Sequence, residues 1–507
     1  MGQTVEHQTM VGRVIERLVL CFFALMTLTI AYQTLTSQFS GWEPRKYVYM
    51  AVYIVVVVLG CWLIARAKTP PSHLLCLILF LSLAIRFYMV TILPTEPTSD
   101  FGLMYQTAQQ SASGDFSWTH AQGGYFYRWG YQIPFVLYEA VIFRLFHSLL
   151  ALKLFNVLFM VGSNYLLYRL GRLYLSEAAS LCIALIYAMF PDVFFFTTVL
   201  SNQHIALFFL LLGVLLLLKA TRWWEFALTG LSLAVSDLMR PEAVVILVAC
   251  LCCGVLRCIQ RPDIETLKRV ALSLALVLVC YWLTKTLTEA LLIWTDIAPY
   301  GLQNRVPEWK FVVGLGNVEG YGAYSEAHID VLDMDSESRR MITAELVSDL
   351  LHRPPAEILD FVVGKLRRFW STPQSIGWAF AGVNVNLLIY PGVGVTLYSL
   401  YNLQWCGMGM SLLVYLLALF APILLWKDDK RREEGKALFF IAVLCVIICV
   451  YLLIEVQARY RLFAVPFWLL VGGITVERLT QLKVPFHWNS DFWTALLSRP
   501  LGKSTKK

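Results

Sequence analysis

Apolar runs of membrane-crossing length, separated by short charged or turn-forming segments, occupy most of the chain. They fall at residues 18–36, 48–65, 73–93, 149–170, 177–195, 203–219, 224–240, 242–259, 268–292, 404–426, 436–454 and 462–477. A hydrocarbon layer of roughly 30 Å takes about 20 helical residues to cross. The pattern therefore predicts an all-α integral membrane protein with about twelve transmembrane helices. A further apolar stretch at 384–402 would put the basic run at 427–436 on the wrong side if it crossed, so it is read as membrane-associated. The first stretch outlasts a signal-peptide core and has no small-residue cleavage site, and it reads as a retained anchor.

Positive charges set the orientation. Arg66 and Lys68, Arg169 and Arg172, Lys219 and Arg222, Arg257 to Arg269, and the run from Lys427 to Lys436 all fall on one side if both termini are cytoplasmic. This divides the chain into a tail with three spans (1–93), a first extracytoplasmic loop (94–148), a transmembrane core (149–292), a second large loop (293–403), C-terminal spans (404–480) and a cytoplasmic tail (481–507). Both loops carry interfacial helices in this reading. Residues 131–146 are apolar and aromatic, and 358–370 are amphipathic, with Lys365, Arg367 and Arg368 beside Trp370 suited to lipid headgroups.

Composition agrees: 58% of residues are hydrophobic and 15% charged, against roughly 25% charged in soluble proteins. The net charge of +7 is distributed as a topology signal, which argues against a nucleic-acid partner and makes the bilayer the first partner. The 12 Cys residues lie mostly in apolar runs without ligand spacing, and His120, His204 and His328 are scattered. No metal site is implied, no cofactor is called for, and no Gly-rich nucleotide loop is present.

Candidate chemistry gathers where spans meet the loops. Ser99 and Asp100 come just after the third span and open a helical stretch containing Tyr105, so Asp100 sits at the water interface; a helix cap is the plain alternative. The last outer turn holds Arg459, Tyr460 and Arg461, whose guanidinium groups suit a phosphate, or merely snorkel. Arg240 and Glu242 form another outer turn, where an Asp237 to Arg240 ion pair is equally plausible, and Lys285 with Glu289 reads as a neutralising pair four residues apart.

In order along the chain, Ser99, Asp100, Phe101 and Tyr105; Asn156 to Leu170; the Tyr187 to Ser201 turn; Arg240, Pro241 and Glu242; Gly314 to Asn317; Lys365 to Trp370; and Ala458 to Arg461 with Pro466 resemble the bacterial polytopic glycosyltransferases of the C superfamily. The likeness is to the family 39 type, related to protein mannosyltransferases and lipid A aminoarabinose transferases, and covers residues 73–480. Asn202 and Gln203 stand where members often carry an acid, and three spans precede the catalytic loop instead of one.

The resemblance implies inverting transfer of a sugar from a polyprenyl-phosphate-linked donor to an extracytoplasmic acceptor, a cell-wall polymer, lipid or protein, at the bacterial plasma membrane. It makes Asp100 the catalytic base. Arg459, Arg461, Arg240 and Lys365 become donor-phosphate ligands, with Ser99, Tyr105, Glu242 and Tyr460 close to substrate. A polysaccharide polymerase or ligase, a lipid-linked sugar flippase or transporter, and a non-catalytic scaffold are the rivals. Convergence of Asp100 with the Arg459 turn separates the last from the rest.

Overall fold

The computed structural model describes residues 9–39, 44–316, 321–324, 329–372, 374–383, 400, 402–428 and 435–482. Asn317, Gly320, His328, nearly all of 384–402, the charged run at 430–432 and the tail beyond 482 lie outside the described residues.

Every described element is helical apart from one isolated bridge between Trp129 and Asn304. In order the helices are α1 (Met10–Phe39), α2 (Pro44–Arg66), α3 (Pro71–Ile92), α4 (Ser99–Ala112), α5 (Tyr125–Arg128), α6 (Ile133–Phe146), α7 (Leu149–Gly171), α8 (Glu177–Ala188), α9 (Pro191–Phe196), α10 (Gln203–Lys219), α11 (Trp223–Met239), α12 (Ala243–Gln260), α13 (Ile264–Trp294), α14 (Trp309–Leu315), α15 (Asp330–Asp333), α16 (Ser336–His352), α17 (Pro355–Trp370), α18 (Gln374–Gly377), α19 (Gln404–Trp426), α20 (Lys436–Leu453) and α21 (Val465–Gln481).

Eight of these, α1 to α3, α7, α12, α13, α19 and α20, are long and apolar enough to cross a membrane. On α2 and α13 long apolar faces stay exposed, with Val55, Trp62, Trp282 and Leu287 among them. In water such faces would be costly, and in lipid they are matched. The chain is a multi-pass helical membrane protein.

The other expected spans correspond to shorter helices. Helices α10, α11 and α21 have 17 residues each, about 26 Å at the α-helical rise. The stretch 177–195 is not one span but two helices, α8 and α9. Pro191 cannot donate to the ladder, and Phe190 before it is held extended at ψ 112. The last span starts at Val465, because Ala458–Phe463 winds as a 3-10 turn.

Small residues allow the helices to approach closely. A Cβ on Gly230 of α11 would meet the Val277 carbonyl of α13 at 2.4 Å. Between α10 and α11, Ser232 and Ser236 donate to the Phe209 and Ala206 carbonyls at 2.8 Å each. Such close contacts and interhelical hydrogen bonds hold helices together where both solvent and core are apolar. At the bundle centre the rings of Phe23, Trp370, Tyr415 and Trp468 interlock across α1, α17, α19 and α21, with centroids 5.1–6.1 Å apart.

The two long loops are stapled together at one end of the bundle. Gly130 N–H donates to the Gln303 carbonyl at 3.2 Å and Arg305 N–H to the Arg128 carbonyl at 2.9 Å. The segment ending in the Trp378–Phe380 turn is fastened to the start of the first loop: Thr95 Oγ1 donates to the Ala379 carbonyl and Glu96 N–H to that of Ala381. Helix α17 has its apolar positions on one side, but its basic end differs from expectation. Lys365 and Trp370 turn into the bundle and are 1% exposed, leaving Arg367 toward the surroundings.

Candidate functional site

Asp100 lies in the first turn of α4. Neither it nor Ser99 caps the helix: the N-cap is Thr98, and no side chain makes the capping bond. Ser99 adopts a left-handed φ of 54°, a conformation that costs a non-glycine residue roughly 1–2 kcal/mol. Asp100 is half-buried, and its carboxylate has no hydrogen-bond or ion-pair partner among the described residues.

The Arg459 turn meets the residue that follows Asp100. Phe101, adjacent to Asp100, places its ring 4.8 Å from the Arg459 guanidinium. Trp378 and Tyr460 add rings at 4.6 and 5.5 Å. Arg459 is buried, and among the described residues it makes no ion pair and its Nε has no hydrogen-bond partner. Its backbone is fixed by Gln203, whose Nε2 donates to the Arg459 carbonyl at 2.8 Å. Tyr125 lies within the field of both charges. Burial pushes its phenol far up and Asp100 adds to the rise, while Arg459 opposes it.

Tyr460 is the hub for two further cations. Arg240 stands 4.7 Å from its ring and Lys310 5.4 Å. Both cations are neutralised. Arg240 pairs with Glu242 at 3.2 Å and donates to Asn202 Oδ1 at 3.2 Å; Lys310 pairs with Glu455. Burial pushes the Glu455 carboxyl up, but Lys310 beside it overrides this and leaves it below the usual range. Burial also raises the phenol of Tyr131, against the pull of Lys310 and Arg240.

The other sequence candidates fall elsewhere. Arg461 is a strut: it pairs with Asp192 at 3.1 Å and donates to the Trp370 and Thr372 carbonyls at 2.7 Å each and to that of Ala458 at 3.2 Å. Lys365 gives its protons to the Gly314 and Ile454 carbonyls at 2.7 and 2.8 Å, and burial pulls it down to about 7. Tyr105 faces α6, with its ring 6.0 Å from Phe143. Asp237 pairs with Lys285 at 2.5 Å rather than with Arg240. Glu289 consequently does not neutralise Lys285 and instead accepts from Leu302 N–H at 2.8 Å. In both cases a partner on a neighbouring helix wins over one nearby in sequence.

Arg459 borders a small cleft, with room for about one water, lined also by Phe190, Asp192, Phe196, Trp370, Arg461 and Trp468. Trp468 Nε1 is buried with no acceptor, like Arg459 Nε. Two buried donors without an acceptor border one cleft, as suits a polar guest there.

Sequence reading missed Tyr125, Tyr131, Lys310, Glu455 and Trp378. The aromatic run from Tyr125 to Tyr131 was a usable signal; Lys310 and Glu455 gain meaning only as a pair. Among the described residues no three His, Cys, Asp or Glu side chains gather as a metal site requires. No protein-family model matches the sequence, and no curated protein matches it.

Proposed function

We propose that this chain is a membrane glycosyltransferase of the C-superfamily type, moving a sugar from a polyprenyl-phosphate carrier to an acceptor hydroxyl with inversion. The observation that carries the reading is a charge inventory: Arg240, Lys310 and Arg461 each have a carboxylate partner, whereas Arg459 and Asp100, linked through Phe101, have no ion-pair partner among the described residues. Charges left uncompensated in a partly dehydrated site are those a substrate completes.

Arg459 is already stripped of water and fixed by three rings, so it receives a phosphate without reorganising. Asp100 accepts the acceptor proton as the acceptor oxygen bonds to the anomeric carbon and the carbon–phosphate oxygen bond breaks. Glycoside hydrolysis needs a second carboxyl group to protonate its leaving group. A phosphate departs as a stable anion, and one base with one cation suffices. Arg240 and Lys310, though paired, keep the surrounding field positive. The long loops face the extracytoplasmic side of a bacterial plasma membrane in this reading.

The test is transfer of labelled sugar from polyprenyl-phosphate donors to envelope acceptors in membranes containing wild type or Asp100→Asn. Transfer is expected to vanish in Asp100→Asn with the protein still folded, and transfer at the wild-type rate would overturn the assignment.

A further inference from the structure

Helix α3 carries one cation in its apolar run. Arg86 is fully buried and has no carboxylate partner among the described residues. A lone guanidinium within a membrane helix calls for an explanation, because such charges persist where they pair or serve a site. Arg86 donates to Ser82 Oγ at 2.7 Å and reaches the carbonyls of Tyr187 and Ala188 at 3.3 Å each.

Those two carbonyls end α8. The last carbonyls of a helix lack intrahelical partners and carry the negative end of its dipole, so a cation there satisfies both needs. The next carbonyl, of Met189, accepts from Tyr53 at 2.5 Å. Pro191 then opens α9. Broken backbone within a membrane bundle persists only where its polar groups are satisfied inside the protein, and here side chains from α2 and α3 supply the donors.

Beyond the break lies the floor of the cleft. Asp192, in the first turn of α9, holds Arg461 at 3.1 Å. Arg461 in turn grips the carbonyls of Ala458, Trp370 and Thr372. Arg459 sits within that clamped turn. We propose that Arg86 is a positioning residue for the donor-phosphate site: by tying down the end of α8 it fixes where α9 begins, hence Asp192, Arg461 and the turn that carries Arg459. This rests on the reading of Arg459 as the phosphate ligand. The planar fork of arginine reaches the hydroxyl and both carbonyls together, which a lysine point charge does not reproduce.

The experiment uses the full chain in nanodiscs, comparing wild type, Arg86→Met and Arg86→Gln. Glutamine keeps two N–H donors without the charge, and it supplies a folded variant if methionine does not. Two readouts are taken: hydrogen exchange at 189–196 and 458–463, and affinity for polyprenyl phosphate. In Arg86→Met, exchange in both segments rises about tenfold while α11 to α13 stay at wild-type rates, and the polyprenyl phosphate Kd rises about tenfold, a usual size for coupling between distant sites. Arg86→Gln falls between the two. Unchanged exchange at 458–463 in both variants, or a rise there only in step with the whole bundle, overturns the proposal. If exchange at 458–463 rises but wild type does not bind polyprenyl phosphate, the donor reading falls and the mechanical link from Arg86 to the turn stands.

Discussion

Arg459 and Arg461 are two residues apart, carry the same group, and should respond oppositely to the same substitution. Arg461 and Asp192 keep only 7% and 12% of their side-chain surface exposed, so solvent screens the pair little. Breaking a buried pair from one side costs about 3–5 kcal/mol. The Trp370 and Thr372 carbonyls, each losing a 2.7 Å donor, push Arg461→Met toward the upper end. Arg459 has no ion pair and no hydrogen bond to lose. Its three ring contacts are worth about 0.5–2 kcal/mol each, and the cost of keeping an unpartnered cation out of water opposes them. Arg459→Met should therefore stay within about 1 kcal/mol of wild type, the two effects largely cancelling. The assay is equilibrium unfolding in mixed micelles followed by tryptophan fluorescence, with polyprenyl phosphate binding measured alongside. Arg459→Met should lose binding at near-native stability, and Arg461→Met should lose stability first. Adding Asp192→Asn to Arg461→Met should recover part of the loss, because it removes the stranded carboxylate. An Arg459→Met variant as unstable as Arg461→Met would refute the division between ligand and strut.

Glu139 on α6 is fully buried, with both carboxyl oxygens lacking partners, and burial holds its pKa well above the usual range. The unfolded chain then loses this proton at lower pH than the folded one, so rising pH through that window lowers stability by up to about 1.4 kcal/mol per unit. Glu139→Gln should remove that slope in pH-dependent unfolding, and an identical slope in the variant would show that the group is hydrated or paired. Lys365 gives the opposite sign: its folded value of about 7 lies below the ordinary lysine value. The unfolded chain binds more protons above pH 7, and stability from this group rises with pH toward about 10.4. Subtracting the Lys365→Met profile from wild type should expose that rise, which a flat difference would exclude. Asp237→Asn should leave Lys285 without its carboxylate on a membrane-crossing helix and cost about 3–5 kcal/mol, as for a buried pair broken from one side, since Asp237 is 1% exposed. Adding Lys285→Met should restore most of the loss in the same unfolding assay, and no recovery would mean the two do not act as a pair.

Hydropathy located the helices because a membrane span needs a continuous apolar run, a local property. It misjudged 177–195 because Leu185, Ile186, Phe194 and Phe195 are apolar on both sides of a break set by one proline. Charge partners were mostly illegible. Lys285 has Glu289 one turn away, yet its partner is Asp237 on a packed neighbour, and only the approach of α11 to α13 at Gly230 brings that carboxylate within reach. Arg459 and Arg461 are equivalent to a sequence reader, and what distinguishes them is Asp192 on α9. Arg86 was visible as the one cation in a strongly apolar stretch, but its role depends on where α8 ends. Phe101, next to Asp100, meets the Arg459 turn although the two lie more than 350 residues apart in the chain, a contact no local pattern could reveal.

Asp100 and Arg459 are linked through Phe101, and among the described residues the two do not form an ion pair. A carboxylate and a guanidinium free to meet would form a bidentate pair, and each would quench the other. Phe101 comes directly after Asp100 and lays its ring against the guanidinium, with Trp378 and Tyr460 on further sides. Aromatic faces attract a cation without removing its charge, so Arg459 is held firmly and still seeks an anion. Asp100 lies in the first turn of α4. The left-handed Ser99 starts that helix one residue earlier and sets the direction in which Asp100 leaves the chain. Backbone strain of this kind persists where the surrounding structure enforces it, and it concentrates at functional sites. On the glycosyltransferase proposed above, this leaves the Arg459 charge available to a departing phosphate and the Asp100 carboxylate available to an acceptor hydroxyl.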